Sequence, residues 1–147
     1  MRFKPVMLSL ISLLLVTFLL TGCWNNQAWG IRGDEFQKTF IRYSSAVRWA
    51  EYDQAYTYIK MRNGEPEVLD LDGLTEFEVT RYEIVSKTLG PKTETKPADV
   101  LLLVEIDFLQ EGSPRIKTMK REETWWFDEE AEKWYLDGNL PDFAQQH

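Results

Sequence analysis

The chain has 147 residues and carries 17 Lys and Arg against 24 Asp and Glu, a formal net charge of −7 at pH 7. An acidic chain is a poor partner for nucleic acid and is weakly repelled by anionic headgroups. With one cysteine and one histidine, the C-terminal His147, no zinc or transition-metal set and no cofactor site can be assembled. Six Trp, eight Phe and six Tyr supply core material without any internal disulfide.

The chain opens "MRFKPVMLSLISLLLVTFLLTGC", in which Arg2 and Lys4 are the only charges before Cys23. A basic start, an apolar run from Val6 to Leu20 and small residues before a boundary form a secretory signal peptide. The run is shorter than the roughly 20 residues of a spanning helix. Leu20-Thr21-Gly22-Cys23 resembles the lipobox of bacterial lipoprotein precursors. That resemblance implies cleavage after residue 22, diacylglycerol on the Cys23 sulfur and acylation, palmitate for instance, of the new amino group. Two or three acyl chains, at about 0.8 kcal/mol per buried methylene, anchor stably where one is marginal. An uncleaved anchor and an ordinary cleaved signal with a free thiol are the alternatives. The lipobox leaves inner and outer membrane open; in diderm bacteria an aspartate after the cysteine favours inner-membrane retention, and Trp24 in its place makes the periplasmic face of the outer membrane the preferred expectation. Removing residues 1–22 takes two basic residues and no acidic ones, which leaves 125 residues with a formal charge of −9.

Residues 23–33 read as lipidated cysteine and tether, reaching at most about 35 Å over the ten residues after Cys23. Trp24 and Trp29 either sit at headgroup level or pack on the domain. The domain itself spans 34–147. Asp34 and Gln37 form a capping box. Phe36, Phe40, Tyr43, Val47 and Ala50 then make one helical stripe. A shorter stripe, Tyr52, Ala55, Tyr56 and Ile59, follows with Asp53 as its cap. Asn63-Gly64 and Pro66 end helical structure. Asp70-Leu71-Asp72-Gly73 resembles the start of a calcium loop but lacks the remaining acidic ligands, and it reads as a turn.

Period-two patterning begins at "LTEFEVTRYEIVSKTL". Phe77 and Val79 are out of step with Tyr82 and Ile84, which predicts a bulge near Arg81-Tyr82. "ADVLLLVEIDFLQ", a turn at "EGSP", "RIKTMKREETWWF", an acidic turn at "DEEAE" and "KWYLDG" complete a meander of about four strands. The tail folds back through Phe143. Helices before strands predict an α+β domain, with N-terminal helices packed on a curved antiparallel sheet. Val100 to Val104, apolar on both faces, predicts a sheet covered on both sides there.

The two amphipathic helices, "EYDQAYTYI" closing the second, and the strands ending "TWWF…KWYLDG" resemble the nuclear transport factor 2-like superfamily over residues 34 to 139. A cystatin-like domain is the nearest rival. The first resemblance implies a cone of helices against a curved sheet, and sheet-to-sheet dimerisation. Its enzymes, of ketosteroid-isomerase and cyclase type, use a carboxylate inside the cone. The matching positions here are Glu105 and Asp107, with Tyr82 as oxyanion donor. The competing reading puts both carboxylates on the solvated half of their strand, facing Lys120. Trp125, Trp126 and Trp134 are candidates for an interaction surface, because adjacent Trp125 and Trp126 must point to opposite faces. The cluster Asp128, Glu129, Glu130 and Glu132 reads as a solvated hairpin tip.

These features lead to a membrane-anchored, non-enzymatic binding or accessory module for a protein partner or small apolar ligand. A structural subunit of envelope assembly and an isomerase-type enzyme are the alternatives. No Gly-rich phosphate loop or nucleophile elbow occurs.

Overall fold

In the computed structural model, the described residues are 24–67, 71–91 and 97–144, with side chains described from residue 33 onward. The signal segment, Cys23, Asp70 and His147 lie outside them, as do the side chains of Trp24 and Trp29. The chain divides into two compact units, Met1–Asp34 and Glu35–His147. Among the described residues three helices precede four strands: α1 (Trp24–Arg48), α2 (Tyr52–Tyr56), α3 (Leu71–Leu74), β1 (Phe77–Leu89), β2 (Val100–Gln110), β3 (Lys117–Asp128) and β4 (Lys133–Leu136). The strands form one antiparallel open sheet in the order β1-β2-β3-β4, a curved meander of the α+β class. Among the described residues no helix is long and apolar enough to cross a membrane.

Helix α1 starts at Trp24, not at Asp34. The stretch expected as an extended tether is therefore helical from Trp24, and the pair Asp34 and Gln37 sits inside the helix rather than at its cap. Phe36, Phe40, Tyr43 and Val47 are buried as their spacing requires. Ala50 is not part of that stripe. It is exposed, with φ of 55°, and it ends the helix. The Glu51 N–H reaches back to the Ala46 carbonyl at 2.8 Å, a closure that normally takes glycine at the left-handed position. Asp53 lies in the first turn of α2, where Glu51 occupies the cap without a side-chain bond. Ile59 leaves this turn to bridge Leu136, so residues 58–60 flank β4.

The expected irregularity in β1 is present: register shifts between Val79 and Arg81, and a second shift follows between Ile84 and Ser86. The first brings Tyr82 back to the face of Phe77 and Val79, all three buried. Each extra residue also bends the strand and increases its twist. On β2 the residues Val100, Leu102, Val104, Ile106 and Phe108 are all buried on the inner face. They meet the α1 stripe in one core with Trp125, Trp134 and Leu136. The outer face is open at Leu101, which is 42% exposed, so the sheet is not covered on both sides there. Phe143 closes the far end against Phe108 and Phe77, with ring centroids 4.9 and 5.7 Å away.

Candidate functional site

Trp125 and Trp134 do not form a surface. They are 0% and 2% exposed, and they pack edge-on against Phe36 at 5.9 and 5.2 Å. The parity of the strand decides this: Trp125 shares the inner face with Met119 and Glu123, and Trp126 takes the outer face.

The carboxylates expected inside the cone are also on the outer face. Arg81 donates from Nε to Asp107 at 2.8 Å and from Nη2 to Glu105 at 2.5 Å. Lys120 Nζ lies 3.2 Å from Glu105, and the Thr118 hydroxyl donates to Asp107 at 2.6 Å. The Lys120 and Arg81 cations hold Glu105 below its ordinary carboxylate range, and Arg81 with Thr118 does the same for Asp107. Neither group lines the interior. A general base needs a pKa near the working pH and a path to substrate, and these two have the reverse.

Tyr82 is inside the core, and its carboxylate partner is Glu123, which the sequence reading passed over. The Glu123 side chain is fully buried. It accepts from the Tyr82 hydroxyl, from Trp125 Nε1 at 3.1 Å, and pairs with Arg121 Nε at 3.4 Å. Arg121 is in turn fixed by a 2.8 Å bond to the Asn139 carbonyl. Burial pushes the Glu123 carboxyl up, and its three donors oppose that shift. Burial and the neighbouring Glu123 charge push the Tyr82 phenol up, so it remains a donor. The Tyr43 hydroxyl, also buried, has no hydrogen-bond partner among the described residues. A signal for Glu123 did exist: it alternates in phase with Met119 and Trp125.

The remaining candidate, Trp126, is half-buried on the outer face. Its indole N–H donates to the Lys60 carbonyl at 2.9 Å, and its ring stacks obliquely with Tyr135 at 6.1 Å. Lys60 Nζ lies 5.7 Å from the ring centroid and the Arg62 guanidinium 5.8 Å, within cation–π reach. Beside the ring is a groove of about 510 Å³, lined by Arg62, Pro91, Pro97, Asp99, Trp126 and Phe127 to Glu130. The turn between β3 and β4 is rigid: Asp128 accepts from the N–H groups of Glu130 and Ala131 at 3.0 and 3.1 Å and also from Lys60. Lys60 is the main reason that Asp128 is held below its ordinary range. Among the described residues no three His, Cys, Asp or Glu side chains are placed to hold a metal ion.

No family model matches this chain, and no curated protein matches it at a significant level.

Proposed function

We propose that the protein is a bacterial lipoprotein, anchored through Cys23 to the periplasmic face of the outer membrane, whose nuclear transport factor 2-like domain is a non-enzymatic binding or accessory module. The observation that carries the reading is the division of the tryptophans. Trp125 and Trp134 fill the core, whereas Trp126 floors an open groove where a protein partner or an apolar ligand can reach it. The lipobox supports the anchor. Glu105 and Asp107 are engaged with Arg81 and Lys120, and both oxygens of Glu123 are engaged by donors, which favours binding over an isomerase-type reaction. Structural work in envelope assembly, or a homodimer through the outer sheet face, would use the same exposed surfaces.

The test is native mass spectrometry of the full-length protein extracted gently from its own membranes. The expected mass is that of residues 23–147 plus a lipid on Cys23, with a second polypeptide or a small molecule retained. Cys23→Ser is expected to stop processing and release the chain from the membrane fraction. A chain still starting at Met1 with an unmodified thiol would sink the anchor, and a bare monomer under all conditions would sink the binding role.

A further inference from the structure

Resting on the membrane anchor of the reading above, we propose that the exposed face of α1 between Lys38 and Trp49 docks on an anionic phospholipid surface. At about 100° per residue, Lys38, Ile41, Arg42, Ser45, Arg48 and Trp49 fall within about 120° of the helix circumference. Phe36, Phe40, Tyr43 and Val47 occupy the opposite side and are buried in the core. Lys38, Arg42 and Arg48 are exposed, as are Ile41 at 55% and Trp49 at 73%. Trp49 continues the last turn, its N–H bonded to the Ser45 carbonyl at 3.0 Å. Packing accounts for one side of this helix and leaves the other without a task in the fold.

That other side has the chemistry of an interfacial surface. From Phe36 to Ala50 the chain holds three cations, Lys38, Arg42 and Arg48, and no acidic residue. None of the three forms an ion pair with any described residue. Residues 1–33 contain no Asp or Glu that could neutralise them. Glu78 lines a groove together with Arg48 and Trp49, and counting it against the three cations still leaves an excess of two positive charges. A tryptophan ring is favoured at headgroup level, and basic side chains beside apolar ones suit the boundary between headgroups and acyl chains. An acidic protein would answer the cations alone, whereas a bilayer answers Ile41 and Trp49 as well. Cys23 stands fifteen residues before Lys38 (38 minus 23), at most about 50 Å of chain. A lipid there keeps the face near a bilayer at high local concentration. The net charge of the whole chain opposes the approach, but screening over about 8–10 Å leaves the nearest charges to decide the contact. Each cation favours an anionic surface about fivefold, so three together favour it about a hundredfold.

The test uses the full-length protein extracted from its own membranes and carrying Ser45→Cys, labelled with an environment-sensitive fluorophore. It is reconstituted into phosphatidylcholine vesicles or into mixed phosphatidylcholine–phosphatidylglycerol vesicles. Emission at residue 45 is expected to shift to the blue and to resist aqueous acrylamide on the phosphatidylglycerol vesicles only, and high salt should reverse both effects. Lys38→Gln/Arg42→Gln/Arg48→Gln should abolish them, and Trp49→Ala should reduce the blue shift. A label at Leu101→Cys, on the outer sheet face, should stay open to acrylamide on both vesicles. Equal access at residue 45 on both vesicles, protection that survives the triple variant, or equal protection at residue 101 overturns the inference. Protection by a soluble glutamate-alanine peptide without protection on vesicles assigns the face to an acidic protein and overturns it as well. The anchor is read separately, because the parent protein without Ser45→Cys takes no thiol label when Cys23 carries lipid. A labelled parent sinks the anchor, and the residue-45 signal measured against that parent still decides the face.

Discussion

Tyr82→Phe isolates one bond in the core and leaves the ring in place. The hydroxyl donates to a carboxylate whose side chain is fully buried. A hydrogen bond to a charged group contributes about 1.5–3 kcal/mol, whereas a neutral one contributes about 0.5–1.5 kcal/mol. Tyr52 gives the internal reference, because its hydroxyl donates to the Leu74 carbonyl at 3.1 Å. With a urea slope of about 1–3 kcal/mol per molar, a loss near 2 kcal/mol moves the unfolding midpoint of Tyr82→Phe by about 1 M. Tyr52→Phe should move it by about half as much. The sign with pH follows from Glu123, whose folded pKa is raised mainly by burial. Below its ordinary value of 4.5 the group is protonated in both folded and unfolded chains. As pH rises through the folded value the native state must hold a buried charge, and stability falls. Tyr82 is one of the donors limiting that loss, so its removal should cost more at pH 7 than at pH 4. Equal costs at the two pH values, or a smaller cost than Tyr52→Phe at pH 7, would refute a charged Glu123 held by this hydroxyl.

Four further outcomes are expected. Trp125→Ala empties the centre of the aromatic cluster and should cost about 3–5 kcal/mol, read by thermal or urea unfolding, while Trp126→Ala should cost far less; similar losses would contradict the division of the two faces. Arg81→Ala should bring Glu105 and Asp107 back toward their ordinary 4.5 and 3.8, followed by carboxyl NMR titration. Since depressed carboxylates stabilise above those values and lose that contribution as pH falls, the variant should show a flatter acid limb of stability. Ala50→Gly relieves a left-handed residue at the end of α1 and should raise stability by about 0.5–1 kcal/mol after the added freedom of the unfolded chain is set against it; a drop in melting temperature would show that Ala50 is not strained.

Much of the fold was legible because the strands obey one rule closely. The phase break between Val79 and Tyr82 located the first bulge to within a residue, and the turns at "EGSP" and "DEEAE" separated the strands correctly. The start of α1 was not legible: "WNNQAWGIRG" has no apolar stripe, no acidic first turn and two glycines, so nothing local in it favours a helix. The site residues failed for a different reason. On β2, Leu101, Leu103, Glu105, Asp107 and Leu109 share one face, and the opposite face is uninterrupted Val100, Leu102, Val104, Ile106 and Phe108. Alternation alone makes the second face the buried one and sends both carboxylates outward. This agrees with the solvated reading, in which Glu105 faces Lys120, and the catalytic alternative fails on the same parity. The same parity read along β3 puts Glu123 among buried residues, a position where a carboxylate is costly unless donors surround it.

The outer surface carries two charge clusters. In the first, Glu83, Glu105 and Asp107 meet Arg81 and Lys120, an excess of one negative charge; Glu83 pairs with Arg81 along β1, and the other members pair across neighbouring strands. A ligand cation arriving there would have to displace bonds of 2.5 to 3.2 Å and restore nothing of equal worth. In the second, Lys60 pairs with Asp128, Arg62 pairs with Asp99 and Asp137, and Asp128 also accepts from the backbone N–H groups of Glu130 and Ala131. Exposed ion pairs contribute little to stability, so the fold rests on the inner face of the sheet, where Val100, Leu102, Val104, Ile106 and Phe108 are buried.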